Sequence, residues 1–321
     1  MEYETKTQTV PETSAGELYG VLIIGGGFAG LTAALYAGRS GLNTLVLEPQ
    51  IPGGAITASE LVENWPTRLS LSGLELGALL QKQAETVGAR LDFGIAARIN
   101  KIENVFFTTL DSGKTLQSKT VVYAAGVSPR RLGVPGEQEF RGRGVSYCAT
   151  CDGPFYKNKN VAVIGGGNTA IQEAVYLSSL AKTVTVVHRR AAFRAEKIIL
   201  DRARSRSNIV FKTPCTVEAI TGAENAAGLR LRNVLSGETE SLSCAGVFIY
   251  AGIEPNTRML KDFVRLTADG FVAAGEDTRT NVPGFFAAGD VRSKELRQLV
   301  TAAADGAVAA VQAAHYLENS A

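Results

Sequence analysis

The sequence predicts an α/β protein built from two similar units, and two repeated features carry this prediction. The glycine-rich hexapeptide Gly-Gly-Gly-Phe-Ala-Gly begins at Gly25, and a related copy, Gly-Gly-Gly-Asn-Thr-Ala, begins at Gly165. Each copy follows an apolar run with β-strand character and precedes a segment whose apolar residues have helical spacing. Strand, glycine turn and helix in this order predict two three-layer, Rossmann-like nucleotide-binding domains, the second inserted into the first. The length of 321 residues also favours two domains.

In the first copy, each glycine of the Gly-x-Gly-x-x-Gly pattern has a separate physical task. Gly25 allows a tight turn, Gly27 lets backbone amides approach a pyrophosphate, and Gly30 permits close packing of the following helix. The next predicted strand, residues 44–47, ends at Glu48, whose carboxylate can accept hydrogen bonds from a ribose. The first unit is therefore predicted to bind a nucleotide.

The second copy differs from the first at the end of its second strand. Where the first copy has Glu48, this one has His188, Arg189 and Arg190, with Arg194 shortly after. Guanidinium groups bind a ribose 2′-phosphate through charge-assisted hydrogen bonds, whereas a carboxylate would repel it. This predicts a site for NADPH rather than NADH, the alternative being a solvent-exposed basic surface with no ligand.

A Cys-x-x-Cys pair, Cys148 and Cys151, precedes the second glycine motif and suits redox chemistry. The two sulfurs can form a disulfide across one turn, and a thiol of lowered pKa attacks other disulfides. A zinc site would need two further ligands close by, but Cys215 and Cys244 are isolated in the sequence, so no metal is predicted. Asp152 follows directly and can exchange a proton with a thiolate, although an exposed turn residue is the simpler interpretation.

Two further stretches are predicted to complete the first nucleotide site. Residues 121–126 form an apolar strand ending in small residues, and residues 284–290 form another that ends in Asp290. A carboxylate at that position can hydrogen-bond a chain of hydroxyls, and a long alanine-rich helix, residues 296–317, follows. A nucleotide that needs both stretches is better interpreted as FAD than as a dissociable nicotinamide.

These predictions give a domain layout with an inserted unit. Residues 1–17 are predicted to be a flexible N-terminal tail. Residues 18–127 and 254–321 form a discontinuous FAD-binding domain, and residues 128–253 form the NADPH-binding domain that carries the cysteine pair. The Gly- and Pro-containing segments where the chain crosses between domains are predicted to be hinges.

Composition excludes several other classes of protein. A net charge of +2 gives no reason to expect a nucleic-acid partner. The uncharged span 19–38 contains three consecutive glycines, so a strand, turn and helix explain its apolarity better than a membrane span does. The N-terminal stretch has no signal-peptide pattern, and four cysteines do not make a secreted disulfide framework. We therefore expect a cytoplasmic protein.

Several motifs in a fixed order resemble those of the low-molecular-weight, bacterial and plant type of thioredoxin reductase. They are Tyr-Cys-Ala-Thr-Cys-Asp-Gly at 147–153, the second glycine motif, His-Arg-Arg-Ala-Ala-Phe-Arg-Ala-Glu-Lys at 188–197, Val-Glu-Asn-Trp-Pro at 62–66, Ala-Ala-Gly-Asp-Val at 287–291 and Arg-Gln at 297–298. The resemblance implies a homodimeric thioredoxin-disulfide reductase that passes electrons from NADPH through FAD and the cysteine pair to thioredoxin or a thioredoxin-like protein. It also implies that Cys151 lies next to the flavin, Cys148 attacks thioredoxin and Asp152 is the acid.

The motifs and the resemblance together give the expected binding residues. Those expected to bind FAD are Gly25, Gly27, Phe28, Ala29, Glu48, Gly54, Asn64, Ala125, Gly126, Gly289, Asp290, Arg297 and Gln298. Those expected to bind NADPH are Gly165, Gly167, Asn168, Thr169, Ala170, His188, Arg189, Arg190 and Arg194.

Two departures from the family pattern keep other electron donors open. Ala55 stands where many members have glutamine, and Ala304 replaces a usual glycine in the final helix. Some relatives take electrons from ferredoxin or another carrier, so a reductase that does not use NADPH is the alternative. A regulatory flavoprotein whose cysteine pair acts as a sensor is the third hypothesis.

Overall fold

A computed structural model describes residues 17–59 and 62–320. The predicted N-terminal tail, apart from Glu17, lies outside the described residues. The chain divides into two compact units, one made of the residues up to Val127 and from Pro255 onward, the other of Ser128–Glu254.

The helices and strands within the described ranges are numbered in chain order. The first stretch contains β1 (Leu18–Ile24), α1 (Phe28–Arg39), β2 (Thr44–Leu47), α2 (Gly73–Thr86), β3 (Arg90–Asp92), β4 (Ala96–Ile102), β5 (Val105–Leu110) and β6 (Thr115–Tyr123), followed by β7 (Val127–Pro129). The second unit contains β8 (Val145–Ser146), α3 (Ala149–Asp152), β9 (Asn160–Ile164), α4 (Asn168–Ser178), β10 (Thr183–Val187), α5 (Lys197–Arg204), β11 (Ile209–Lys212), β12 (Cys215–Gly222), β13 (Ala226–Asn233), β14 (Thr239–Ser243) and β15 (Gly246–Ile249). Then come β16 (Ile253–Pro255), β17 (Phe285–Ala287) and α6 (Leu299–Glu318).

The sheet of the first unit joins two distant stretches of sequence. Its strand order is β3-β2-β1-β6-β5-β4, in which β3, β2, β1 and β6 are parallel and β5 and β4 antiparallel. Strand β17 pairs in parallel with the second half of β6, where Phe285 lies opposite Val121. Because β1 and β2 are buried between layers on both faces, they are continuous apolar runs rather than alternating ones.

Helices α1 and α6 cover one face of this sheet and pack unusually closely. A Cβ atom at Gly306 would lie 2.1 Å from the backbone oxygen of Ala29, so only glycine fits there. The neighbouring contacts are made by small side chains, among them the fully buried Ala33 and Ala309. This packing brings Gly306, the eighth residue of α6, against Ala29 in the first turn of α1.

The second unit contains a parallel sheet in the order β11-β10-β9-β15-β8 and an antiparallel sheet in the order β12-β13-β14. Helix α4 follows β9 directly, as α1 follows β1. The predicted fold class, an α/β protein with two Rossmann-like units, is therefore confirmed. The chain passes between the units twice, at β7 and β16, and these two strands pair with each other.

Across residues 17–59 and 62–320, every helix is too short or too polar to span a bilayer. The uncharged span 19–38 is divided between β1, the first glycine turn and α1.

A buried charge cluster around Asp305 holds α6 against the loop that follows β17. The carboxylate of Asp305 accepts two hydrogen bonds from the Arg292 guanidinium, at 2.8 Å each, and one from Lys294 Nζ at 2.9 Å. It also accepts the Gly289 backbone amide at 2.9 Å. Burial alone would raise the pKa of Asp305, but the bonds from Arg292 and Lys294 outweigh it and hold this pKa below its ordinary value.

Removing the charge of Asp305 should destabilise the first unit. Asp305→Asn keeps the side chain's shape but leaves the cations of Arg292 and Lys294 buried without their counter-charge. We expect the free energy of unfolding in urea to fall by about 3–5 kcal/mol. Glu276→Gln is the matched control, because Glu276 also contacts Arg292 but its side chain is 92% exposed, and it should leave the unfolding midpoint nearly unchanged.

The same variant has an expected pH signature. Because folding lowers the pKa of Asp305, its stabilising effect is present above the unfolded pKa and is lost as pH falls through the lower folded pKa. The stability difference between wild type and Asp305→Asn should therefore shrink in acid. A difference that stays constant from neutral pH down to about pH 2 would contradict the assignment.

Candidate functional site

The first glycine turn leaves the start of α1 open. Gly25 has φ +107°, and a Cβ there would lie 2.4 Å from the Ala124 oxygen; a Cβ at Gly30 would lie 1.8 Å from the Gly25 oxygen. Gly27 is the N-cap of α1 and supplies no side-chain hydrogen bond to the helix. A Cβ on Gly27 would meet nothing closer than 3.8 Å. The first amides of α1 therefore face a space that suits a pyrophosphate.

Glu48 is fixed at the end of β2 against this turn. Its Oε2 accepts the Gly26 amide at 2.7 Å, and its Oε1 accepts the Gln50 amide at 2.8 Å. Each carboxylate oxygen keeps a further lone pair, so Glu48 can still accept ribose hydroxyls. Glu48, the residue predicted to bind a ribose, is thus oriented by backbone hydrogen bonds that the sequence pattern did not foresee.

Other residues expected at the FAD site lie around the same turn. Gly54 packs against Gly27, and Phe28 is buried with its ring edge-on to Trp65 at 5.3 Å between centroids. The structure also joins Asn64 to Gln298 by a hydrogen bond of 3.1 Å between side chains, although they are far apart in sequence. The remaining predicted residues of the first site are the buried Ala29 and Gly289, together with Ala125, whose carbonyl accepts the Asn256 side chain, and Gly126, which has φ +64°.

Asp290 presents the feature that best fits a hydroxylated ligand in the first unit. Its Oδ1 atom is buried and has no hydrogen-bond partner among the described residues; Lys294 Nζ lies 3.9 Å away, beyond hydrogen-bond distance. Burial raises the pKa of this carboxyl group. Arg297 lies beside it, with its guanidinium 4.2 Å from the Phe271 ring centroid and its Nε donating to the Asp290 backbone oxygen at 3.4 Å. A buried acceptor without a partner is stabilised when a ligand hydroxyl reaches it.

The second glycine turn repeats this geometry in the second unit. Gly165 has φ +152°, and a Cβ there would lie 2.5 Å from the Tyr250 oxygen and 2.8 Å from the Ala170 Cβ. Gly167 is the N-cap of α4, again without a side-chain hydrogen bond to the helix, and a Cβ on it would meet nothing within 4 Å. The exposed Thr169 follows in the first turn of α4, whereas Asn168 exchanges two hydrogen bonds with Glu196, at 2.7 and 2.8 Å.

The basic segment after β10 divides into a buried histidine and exposed arginines. The His188 ring stacks on Phe193 at 5.2 Å, and its Nε2 has no hydrogen-bond partner among the described residues. Burial lowers the pKa of His188, so it is neutral at neutral pH and adds no positive charge. The three arginines of the segment are exposed, and the Arg194 amide donates to the Gly166 oxygen at 2.8 Å, which places the segment beside the glycine turn.

The cysteine pair forms a disulfide at the start of the short helix α3. Cys148 and Cys151 are bonded through sulfur, with 5.4 Å between their Cα atoms. Cys148 is the N-cap of α3, and its amide donates to Ser146 Oγ at 3.0 Å. Cys151 is exposed, and Asp152, the last residue of α3, is half-buried. We call residues 148–152 the redox turn.

One contact of the redox turn escaped the sequence analysis. The backbone amide of Ala149 donates to the hydroxyl of Tyr250 at 2.9 Å. Tyr250 is distant in sequence, and the only signal in its favour is an aromatic residue at the end of an apolar strand, which usually indicates packing.

The other two cysteines are buried and separate from the redox turn. Cys215 and Cys244 are 6% and 3% exposed and belong to the same apolar cluster. Burial raises the pKa of both thiols, that of Cys244 to about 12. Among the described residues, no three histidine, cysteine or acidic side chains form a group that could hold a metal ion.

Comparison with known proteins gives consistent results over nearly the whole chain. The family model for pyridine nucleotide-disulphide oxidoreductases matches residues 19–306. The thioredoxin reductase of Treponema pallidum is 42% identical over 302 residues, which cover 94% of this chain and 98% of that protein. The solved thioredoxin reductase of Lactococcus lactis is 37% identical with a TM-score of 0.92, covering 94% of this chain and 99% of that one. A ferredoxin-flavin thioredoxin reductase from Clostridium acetobutylicum is 26% identical with a TM-score of 0.52, covering 94% and 99%.

The two glycine turns can be tested against each other with one type of substitution. A Cβ at either Gly27 or Gly167 has room in the protein but enters the space expected for a pyrophosphate. Gly27→Ala should lose bound flavin while keeping its fold, and Gly167→Ala should keep flavin and bind NADPH about tenfold or more weakly. Flavin absorbance per chain and the KM for NADPH measure the two effects. If both variants lose the same ligand, the assignment of one nucleotide to each turn is wrong.

Proposed function

The chain belongs to the low-molecular-weight thioredoxin reductases within the pyridine nucleotide-disulphide oxidoreductases, and we propose that it reduces a thioredoxin disulfide with electrons from NADPH. The observation that carries the proposal is that one chain holds two uncapped glycine turns and an accessible disulfide. Two dinucleotide sites and a disulfide are what a flavin-linked disulfide reductase requires. The lower identity to the ferredoxin-linked structure does not favour that alternative donor.

We propose that the first unit holds FAD. Its pyrophosphate would lie at the start of α1, its adenosine ribose against Glu48 and its ribityl hydroxyls against Asp290. The buried Oδ1 of Asp290, which accepts no hydrogen bond among the described residues, and the open space over Gly27 support this fit. Bound FAD would supply two-electron transfer between a nicotinamide and a disulfide.

We propose that the second unit holds NADPH. The amides at the start of α4 would bind its pyrophosphate, and the exposed arginines would bind the 2′-phosphate. Among the described residues no carboxylate forms an ion pair with Arg189, Arg190 or Arg194, so their charges are available to an anion. His188 contributes by packing, because its neutral ring fills the space over Gly166.

The thiol chemistry follows from the position of the cysteines. Two electrons and two protons open the Cys148–Cys151 disulfide to a dithiol. One thiolate then attacks a sulfur of the thioredoxin disulfide and forms a mixed disulfide, and the second thiolate displaces the thioredoxin thiolate and restores the starting bond. We assign the exchange of protons with the pair to Asp152, the last residue of α3. Thioredoxin leaves as a dithiol.

The family pattern makes Cys148 the attacking residue, whereas Cys151 is the more exposed of the two in the disulfide form. Exposure alone would favour Cys151 as the sulfur that thioredoxin meets. We propose Cys148 as the attacking residue.

The proposal extends to assembly and compartment. We propose a homodimer that works in the cytoplasm, where a reducing environment keeps Cys215 and Cys244 as thiols. The partner is thioredoxin or a thioredoxin-like protein.

The 2′-phosphate assignment predicts a change in cofactor preference. Replacing Arg189, Arg190 and Arg194 together by Ala should raise the KM for NADPH by at least about ten- to a hundredfold, because losing even one charge-assisted bond costs about 1.5–3 kcal/mol, and should leave the KM for NADH nearly unchanged. Lys182→Ala is the control, since this exposed cation precedes β10 and lies at the opposite end of that strand. An equal loss with both cofactors would contradict the assignment.

The NADPH-dependent function predicts both a colour change and new thiols. Anaerobic NADPH should bleach the long-wavelength flavin band of the purified protein, and wild type should gain two titratable thiols per chain. The flavin of Cys148→Ser and of Cys151→Ser should also bleach, but these variants should gain no titratable thiols on reduction. Cys215→Ala should behave as wild type. A colour that persists with NADPH but is lost with reduced ferredoxin would overturn the proposal.

The same two serine variants assign the attacking cysteine. They are mixed with an oxidised thioredoxin variant that lacks its resolving cysteine and carries an activated disulfide. Cys151→Ser, which retains Cys148, should trap the covalent complex. If Cys148→Ser traps it instead, Cys151 is the attacking residue, as its exposure suggests.

A further inference from the structure

Tyr250 touches both functional parts of the second unit. It follows β15 directly, and its amide donates to the oxygen of Ile164, the last residue of β9, at 2.7 Å. Its own carbonyl oxygen covers Gly165, where a Cβ would lie only 2.5 Å away. The backbone of Tyr250 therefore forms one wall of the second glycine turn.

The side chain of Tyr250 extends from that turn to the redox turn. Its hydroxyl oxygen accepts the amide of Ala149, the first residue of α3, at 2.9 Å. Ala149 is only 1% exposed, so water does not replace this bond while the turn keeps its shape. A buried amide without a partner costs free energy, and here the phenol removes that cost.

The surroundings keep this hydroxyl in its protonated form. Burial raises the pKa of Tyr250 well above its ordinary value, and the charges of Glu173 and Asp152 raise it further. The group is therefore a neutral phenol throughout the neutral range, with an oxygen lone pair for Ala149 and a proton for a second partner.

We propose that Tyr250 is a positioning residue for the redox turn, holding the amide of Ala149 so that the Cys148–Cys151 pair is stabilised in its disulfide form. This inference rests on the proposed function for its meaning in turnover. In the disulfide form the bond between the sulfurs keeps the turn closed and the Ala149 amide inside the protein. Once the bond opens, the turn can relax and expose this amide to water, so the phenol matters less to the dithiol. Tyr250 then makes the disulfide harder to reduce.

The test measures the equilibrium of the cysteine pair with dithiothreitol. In this exchange the protein disulfide becomes two thiols while dithiothreitol loses two electrons and two protons and closes to its cyclic disulfide. Tyr250→Phe keeps the ring and removes the hydroxyl, and we expect the equilibrium to shift about tenfold towards the protein dithiol, which corresponds to about 30 mV. The measurement needs neither NADPH nor thioredoxin, so it remains decisive if the proposed function fails.

The matched control is Tyr147→Phe. The Tyr147 hydroxyl donates to Glu137 Oε1 at 2.6 Å, so this variant also loses a tyrosine hydrogen bond in the same unit, next to the same turn, but not one that holds the turn's amide. It should lower the thermal unfolding temperature without shifting the dithiothreitol equilibrium. If Tyr250→Phe lowers the unfolding temperature and leaves the equilibrium unchanged, or if both variants shift it equally, the proposal is wrong.

A second variant tests the same bond from its other end. Ala149→Pro deletes the amide that Tyr250 accepts, and proline suits the first position of a helix preceded by an extended residue; Cys148 has φ −141° and ψ 103°. In the Ala149→Pro background, Tyr250→Phe should cause no further shift of the equilibrium. Additive shifts would show that the two groups act independently and would overturn the proposal.

Discussion

The first amides of an α-helix have no partners inside the helix, and the arrangement of both units depends on where those amides point. Helix α2 solves the problem internally, because the Ser72 hydroxyl accepts the Glu75 amide. Helices α1 and α4 do not, because their N-caps are Gly27 and Gly167, which have no side chain to offer. The chain therefore leaves two sets of amide donors without a side-chain cap, one at the carboxyl ends of the parallel strands in each unit. Everything else at the two sites, from the end of β2 to the segment after β10, is placed around these two helix starts.

The middle glycine of each motif packs against a different type of residue in the two units. A Cβ at Gly26 would lie 2.8 Å from the Glu48 Cβ, and a Cβ at Gly166 would lie 2.6 Å from atoms of the His188 ring. The residue that ends the second strand therefore packs on the middle glycine in both units. In the first unit it is a carboxylate fixed by the Gly26 amide, whereas in the second it is a neutral ring that leaves the charge to its neighbouring arginines.

Sequence reasoning succeeded where the physics is local. Strand, glycine turn and helix are adjacent in the chain, so the positions of Gly25 and Gly165 followed from the pattern, and the spacing to Glu48 is set by one helix and one strand. Sequence reasoning did not separate His188 from the neighbouring arginines, because the burial of its ring against Phe193 depends on packing that the pattern does not contain. The Asp305 cluster and the bond from Ala149 to Tyr250 were not foreseen either, since their partners meet only through tertiary packing. The antiparallel sheet of β12 to β14 likewise has no signal in the glycine motifs.

The burial of Cys215 and Cys244 has a meaning beyond packing. A protein that transfers electrons through thiol–disulfide exchange would form wrong disulfides if its other cysteines could also react. Thiolates, not thiols, carry out that exchange, and burial raises the pKa of both residues, that of Cys244 to about 12. Burial thus keeps another disulfide from reaching these two sulfurs, and the raised pKa keeps both as thiols. Thiol–disulfide exchange is therefore confined to the redox turn, because Cys215 and Cys244 are buried and remain protonated.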